Sequence, residues 1–235
     1  CSSDLLFGLA RKAFLTTARY DAQIAQHLST IGGEPGSFPP NLFMDFEKIA
    51  DLRYGENPHQ RAAFYRWGSQ APHGLAAGRQ LQGKELSYNN IVDLEAAWNI
   101  VAEFNDPACT IIKHTNPCGT AMAGSLVEAY LKAYAADTVS AFGSIIGLNR
   151  TVDGATASEI SKLFVEAVVA PGFDAGAQQI LSAKKNLRLI AVSDAGAGQE
   201  WAGYEMKRVS GGLLLQSVDD RLVGDDMRVV TRRAP

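Results

Sequence analysis

At 235 residues and 25.2 kDa, the chain is long enough for one large domain, or for one domain and part of another. Its 46% hydrophobic and 20% charged residues read as a packed core, and a net charge of −3 with a pI of about 5.8 argues against a nucleic-acid or anionic-membrane surface. No apolar run reaches the roughly eighteen residues of a membrane span, no signal-peptide pattern opens the chain, and three cysteines without framework spacing suit a reducing, cytoplasmic setting.

Residues 4–28 read as one amphipathic helix, with Leu5, Leu9, Phe14, Ile24 and Leu28 at roughly helical spacing and Ser2, Ser3 and Asp4 as N-cap choices. Residues 31–40, rich in glycine and proline, read as a loop or linker. Beyond residue 45, helical and strand patterns alternate. The spacing predicts a helix over 90–104, a strand over 110–112, a helix over 126–136 and a buried strand over 142–148. A helix over 155–167 with a strand over 168–170, then a helix over 174–184 with a strand over 187–192, complete the pattern. Such alternation implies an α/β fold with a largely parallel sheet covered on both faces. Both ends read as cuts from a longer polypeptide: no initiator Met precedes the first helix, and 227–235 reads as a strand or linker.

The segment from Cys109 to Gly119 is the most informative. A short apolar run drives into Lys113-His114, and Thr115-Asn-Pro-Cys-Gly119 then reads as a break from the strand. Lys113 and His114 thus fall at the carboxyl end of a strand, where open α/β sheets place ligands. A cation beside an imidazole there could combine charge stabilisation with proton transfer, or be a surface Lys beside a carbonyl-bonded His. Because neighbours on a regular strand face opposite ways, both reach one ligand only if the backbone turns there. Arg53 reads first as an ordinary loop cation and only second as a fork for phosphate. Asn89 or Asn90 reads as the N-cap of the following helix, a place that also favours anions. Gly143 would let a ligand approach the backbone, Phe142 reads as core, and Lys184-Lys185-Asn186 reads as a helix C-terminus. Cys109 and Cys118 read as packing thiols. His27, His59 and His73 lack metal-binding spacing, so no metal is expected.

Five segments carry a family resemblance by their order and spacing: Leu52-Arg-Tyr-Gly-Glu-Asn-Pro-His-Gln60, Leu86-Ser-Tyr-Asn-Asn90, Ile112-Lys-His-Thr-Asn-Pro-Cys-Gly119, Ser140-Ala-Phe-Gly143 and Val169-Ala-Pro-Gly-Phe173. Over nearly its whole length the chain resembles the bifunctional purine biosynthesis family (PurH), which joins an IMP cyclohydrolase to an AICAR formyltransferase. The resemblance implies a cytidine-deaminase-like, three-layer α/β/α fold with a mostly parallel or mixed sheet. Residues 1–30 would be the terminal helix of the cyclohydrolase domain, 31–44 a linker, and 45–235 the first half of the formyltransferase region. The zinc motif of deaminases is not implied with it, because Pro117-Cys118 is followed by Gly119, Thr120 and Ala121 rather than completing Pro-Cys-x-x-Cys.

What the family does implies formyl transfer from 10-formyltetrahydrofolate to the 5-amino group of AICAR ribotide, in a homodimer whose sites are shared across subunits. By the same resemblance His114 is the general base and Lys113 stabilises the oxyanion. Arg53, Tyr54, Asn90, Gly143 and Glu166 bind substrate, and Phe142 meets the folate. The alternative is a non-catalytic half-site that holds the nucleotide or mediates dimerisation.

Overall fold

A computed structural model describes residues 2–31, 37–68, 73–192 and 204–219. The chain divides into two compact units, Cys1–Ala195 and Gly196–Pro235. The reading of 227–235 as strand or linker lies outside the described residues, as do residues 32–36 of the expected loop.

The first unit opens with α1 (Ser2–Thr30), longer than expected and exposed along almost all of its length. Its apolar stripe faces outward, with Phe7 72% and Phe14 76% exposed. Arg19 ties it to the following segment through an ion pair of 2.7 Å with Asp45. An antiparallel hairpin follows, β1 (Phe46–Leu52) with β2 (Ala62–Trp67), and Arg53 and Tyr54 leave from the end of β1.

Next come β3 (Arg79–Gln82), α2 (Tyr88–Ala102), β4 (Ala108–Lys113), β5 (Asn116–Met122), α3 (Leu126–Ala136), β6 (Ser144–Leu148), α4 (Gly154–Ser161), β7 (Val165–Ala170), α5 (Ala175–Leu181) and β8 (Arg188–Ala191). Six of these strands form one sheet in the order β3-β8-β7-β6-β4-β5. Its two faces bury different layers, because alternate residues of a strand point opposite ways. Ile111, Ile146, Val168 and Leu189 pack under α3, α4 and α5, whereas Ile112, Ile145, Val169 and Ile190 pack under α2. Each wholly buried Ile or Leu contributes about 1.5–3 kcal/mol. Gly147 lets α2 lie close on the sheet, since a Cβ there would meet the Ala97 carbonyl oxygen at 2.6 Å.

The three-layer α/β arrangement is the expected one, and the sheet is mixed, which the family resemblance allowed and the alternation of elements alone did not. Only β6, β7 and β8 run parallel; β3, β4 and β5 pair antiparallel with their neighbours. The expected break after His114 is also a strand. Residues 116–122 return as β5, and Pro117 is tolerated because β5 is the sheet edge, where an absent N–H removes no needed ladder bond.

The expected helix over 155–167 ends at Ser161, and Val165, Glu166 and Ala167 begin β7. The run Leu163-Phe-Val165 fits either period, and its partners in the sheet decide it. The strand expected from 142 starts at Ser144, leaving Phe142 and Gly143 in a turn. Helix α5 stops at Leu181, so Lys184 and Lys185 lie in the loop after it rather than in its last turn.

The second unit holds a described antiparallel hairpin, β9 (Tyr204–Val209) with β10 (Gly212–Ser217). Among the described residues no helix is long and apolar enough to cross a membrane.

Candidate functional site

Helix α2 starts with a capping box. Ser87 is the N-cap: its hydroxyl accepts from the Asn90 N–H at 3.2 Å, and the Asn90 side-chain oxygen accepts from the Ser87 N–H at 3.1 Å. Neither Asn89 nor Asn90 is therefore the cap. Asn90 is its reciprocal partner and is buried. With its oxygen engaged by the cap, its Nδ2 donates to Glu166 Oε2 at 3.0 Å.

Glu166 is the second residue of β7, and Arg188 opens the adjacent β8. Arg188 donates from Nε to the Glu85 carbonyl at 3.1 Å and from Nη1 to the Glu166 carbonyl at 3.4 Å. Its side chain is 14% exposed, against 45% for Glu166, and Nη1 lies 3.9 Å from Glu166 Oε2. Burial lowers the Arg188 pKa from its ordinary value, while Glu166 and then Tyr54 oppose that shift. A guanidinium remains charged at neutral pH despite such a shift.

Arg53 and Tyr54 complete this wall, the guanidinium carbon standing 5.6 Å from the Tyr54 ring centre. Together with Lys84 they frame a cleft of about 370 Å³ over Asn90, Glu166 and Arg188. A larger cleft of about 620 Å³ shares Arg53, Lys84, Glu166 and Arg188 and runs on past Phe164, Lys184 and Lys185. Across the two, those arginines and lysines face the carboxylates of Glu85 and Glu166, in a chain whose net charge is −3. Concentrating cations in a concave surface draws anionic ligands.

The structure thus brings Arg53, Tyr54, Asn90 and Glu166 together. The cleft opens at the amino ends of β7 and β8, not at carboxyl ends. Lys113 does end β4, as expected, but β4 runs against β6, so its carboxyl end lies beside the start of β6.

Lys113 and His114 diverge. Lys113 follows Ile111 on the side of α3, where Asp137 and Cys118 feel its charge, and its Nζ donates to the Phe142 carbonyl at 2.9 Å. His114 faces the other side, in a recess of about 350 Å³ with Glu56, Tyr88, Asn89, Val92 and Asp93. Asn89 Nδ2 donates to the Glu56 carbonyl at 3.2 Å, tying that recess to the loop carrying Arg53 and Tyr54. His114 and Thr115 form a two-residue hairpin tip, both with positive φ, 52° and 63°.

Phe142 is 60% exposed rather than core, and its ring lies 5.1 Å from that of Phe164 on the larger cleft. Gly143 has φ 76°, a conformation glycine adopts without strain, and its N–H donates to the Phe164 carbonyl at 2.8 Å. Phe142 and Gly143 therefore bridge Lys113 to the cleft rim. Both Cys109 and Cys118 pack in or against the core beneath α3, and burial raises the pKa of each thiol, most strongly for Cys109. No group of His, Cys, Asp and Glu among the described residues could hold a metal ion.

The sequence reading missed Lys84, Asp93 and Arg188. For Arg188 a signal existed: it is a lone charge inside the apolar run 187–192. Lys84 and Asp93 look like ordinary surface residues until the folded neighbours are known.

The AICARFT/IMPCHase bienzyme family model matches residues 2–235. The chain belongs to that family, which comprises enzymes of purine biosynthesis with AICAR formyltransferase and IMP cyclohydrolase activities.

Proposed function

We propose that this chain serves the formyltransferase reaction of de novo purine biosynthesis, moving a formyl group from 10-formyltetrahydrofolate to the 5-amino group of AICAR ribotide. The observation that carries this reading is the cationic cleft built on Arg53, Lys84 and Arg188 around Asn90 and Glu166. Guanidinium forks match a phosphate, and the carboxamide and carboxylate match sugar hydroxyls and an amide.

In the proposed reaction the substrate amine attacks the formyl carbon. That amine is a weak nucleophile because its lone pair is delocalised into the ring and carboxamide, so its proton must leave as the C–N bond forms. His114 is the base, a role an imidazole suits near neutral pH. The carbonyl oxygen becomes an oxyanion, for which Lys113 has two N–H donors left after the bond to Phe142. Because Lys113 lies on the other side of the hairpin from His114, the two meet one centre only if the strand end turns when substrate binds. Collapse breaks the bond from the formyl carbon to folate N10, which takes up a proton. Phe142, exposed at the rim, offers a face to the folate, and Gly143 keeps that approach open. We further propose a cytoplasmic homodimer with sites shared across subunits, residues 1–30 belonging to the cyclohydrolase part, 31–44 linking, and 45–235 to the formyltransferase part.

A second reading, nucleotide holding or dimerisation without turnover, is favoured by one observation. The cleft, the Lys113 amine and His114 are in three separate places in this chain.

AICAR-dependent release of tetrahydrofolate from 10-formyltetrahydrofolate distinguishes the two. Turnover that disappears in His114→Ala, with AICAR affinity changed less than about threefold, is expected if the imidazole acts in the transition state alone. AICAR binding without turnover in the unsubstituted chain would establish the second reading, and full turnover by the variant would remove His114 as base.

A further inference from the structure

The tip of the β4–β5 hairpin is built from residues that disfavour its shape. A two-residue loop with positive φ at both positions matches the right-handed twist of the strands, and Asn-Gly is its usual occupant. Here the two residues are His114 and Thr115, at φ 52° and 63°. For a β-branched residue such as Thr115 that region is a genuine outlier, held only where surrounding contacts impose it.

Three bonds are present. The Thr115 hydroxyl and the Asn116 Nδ2 both donate to the His114 carbonyl, at 2.7 and 2.8 Å. These come from the hairpin itself. The third reaches outside it: the Thr115 N–H donates to Asp93 Oδ1 on α2 at 2.7 Å. A carboxylate acceptor makes this a charge-assisted bond, stronger than its neutral equivalents. Asp93 stands one helical turn beyond Asn90, whose side chain reaches Glu166 in the cleft. One helix therefore fixes both the cleft and the hairpin tip.

We infer that Asp93 is the positioning residue for His114, holding the hairpin tip in its left-handed conformation so that the imidazole stays in register with the nucleotide cleft. The inference rests on His114 acting as the base of the proposed reaction. Asp93 need not touch the reacting atoms. Its effect passes through the Thr115 N–H, and its loss lets the tip relax toward conformations that Thr115 prefers.

The test uses the full-length protein that carries this sequence, with His114→Ala as reference. Asp93→Ala is expected to lower kcat ~10–10²-fold, the scale of a misplaced catalytic group, while half-saturation by AICAR stays within about twofold. Asp93→Asn, which keeps an acceptor oxygen, should recover most of the loss. So should Asp93→Ala combined with Thr115→Gly, because glycine adopts positive φ without its former partner. Full kcat in Asp93→Ala, with His114→Ala inactive, would overturn the inference and leave the base assignment standing. Turnover in His114→Ala would instead remove the premise. A loss in Asp93→Ala that neither the Asn nor the Thr115→Gly variant recovers would show that Asp93 serves helix α2 alone, and would also overturn it.

Discussion

The cleft and the hairpin tip are held in opposite ways. In the cleft, Ser87, Asn90, Glu166 and Arg188 hold one another through side chains and carbonyls drawn from α2, β7, β8 and the loop before α2, with Asn90 buried. At the tip, His114 is exposed, and the bond from Thr115 to Asp93 is what reaches from the tip to α2. A preformed polar network lowers the ordering cost of binding a ligand, whereas a reacting imidazole must keep access to substrate and solvent. On the proposed reading, the first region sets affinity and the second sets rate.

Substitutions can break that division. Beyond His114, the largest expected effect is Lys113→Met, which removes the amine but keeps a long side chain. It should reduce kcat by roughly 10²–10³ if the amine stabilises the oxyanion, with AICAR half-saturation little changed. Steady-state kinetics would check this, and a purely affinity effect would merge Lys113 with the cleft. Next comes Arg188→Gln, which loses the charge and leaves the Glu85 and Glu166 carbonyls short of donors. Here AICAR half-saturation should rise about tenfold or more, and denaturant unfolding should show about 1.5–3 kcal/mol less stability. A fall in kcat with unchanged half-saturation would break the division from the other side.

The smallest effect concerns pH. The Asp137 carboxylate accepts from the Ser140 and Val139 N–H groups before the Phe142 turn, and its pKa is lowered chiefly by the Ser140 bonds, then by Val139 and the Lys113 charge. A lowered folded-state pKa means its stabilisation is complete above the ordinary aspartate value and declines as pH falls through the depressed one. Acid unfolding should therefore cost Asp137→Asn less stability between neutral pH and pH ~3 than it costs the unsubstituted protein. Equal losses would show that the turn is ordered without this carboxylate.

Helices α2 and α3 and the strand ending in Lys113 were legible because each carries its own period and its own cap or terminus. The buried runs at 144–148, 165–170 and 188–191 were readable as apolar, but not as parallel or antiparallel. Strand direction depends on which neighbour a run pairs with, and nothing local encodes that partner. For the same reason the polar strand Arg79–Gln82 escaped notice: it is recognisable only by its pairing with β8.

By itself, then, the sequence determined the α/β alternation, the Lys113-His114 pair at a strand end, the membership signalled by ordered motifs, and Arg53, Tyr54, Asn90 and Glu166 as site candidates. The first two follow from local periodicity and turn chemistry, the membership from motif order, and the site candidates from what the family resemblance implies. Tertiary structure alone decided that Glu166 lies on a strand, that Lys113 and His114 diverge across the sheet, and that Arg188 and Asp93 complete the two regions. Each of these depends on strand order and on contacts between residues 22 to 103 positions apart, from Asp93 with Thr115 to Arg188 with Glu85. Long-range pairing is chosen by the whole core, because burying both faces of the sheet outweighs the preference of any single segment.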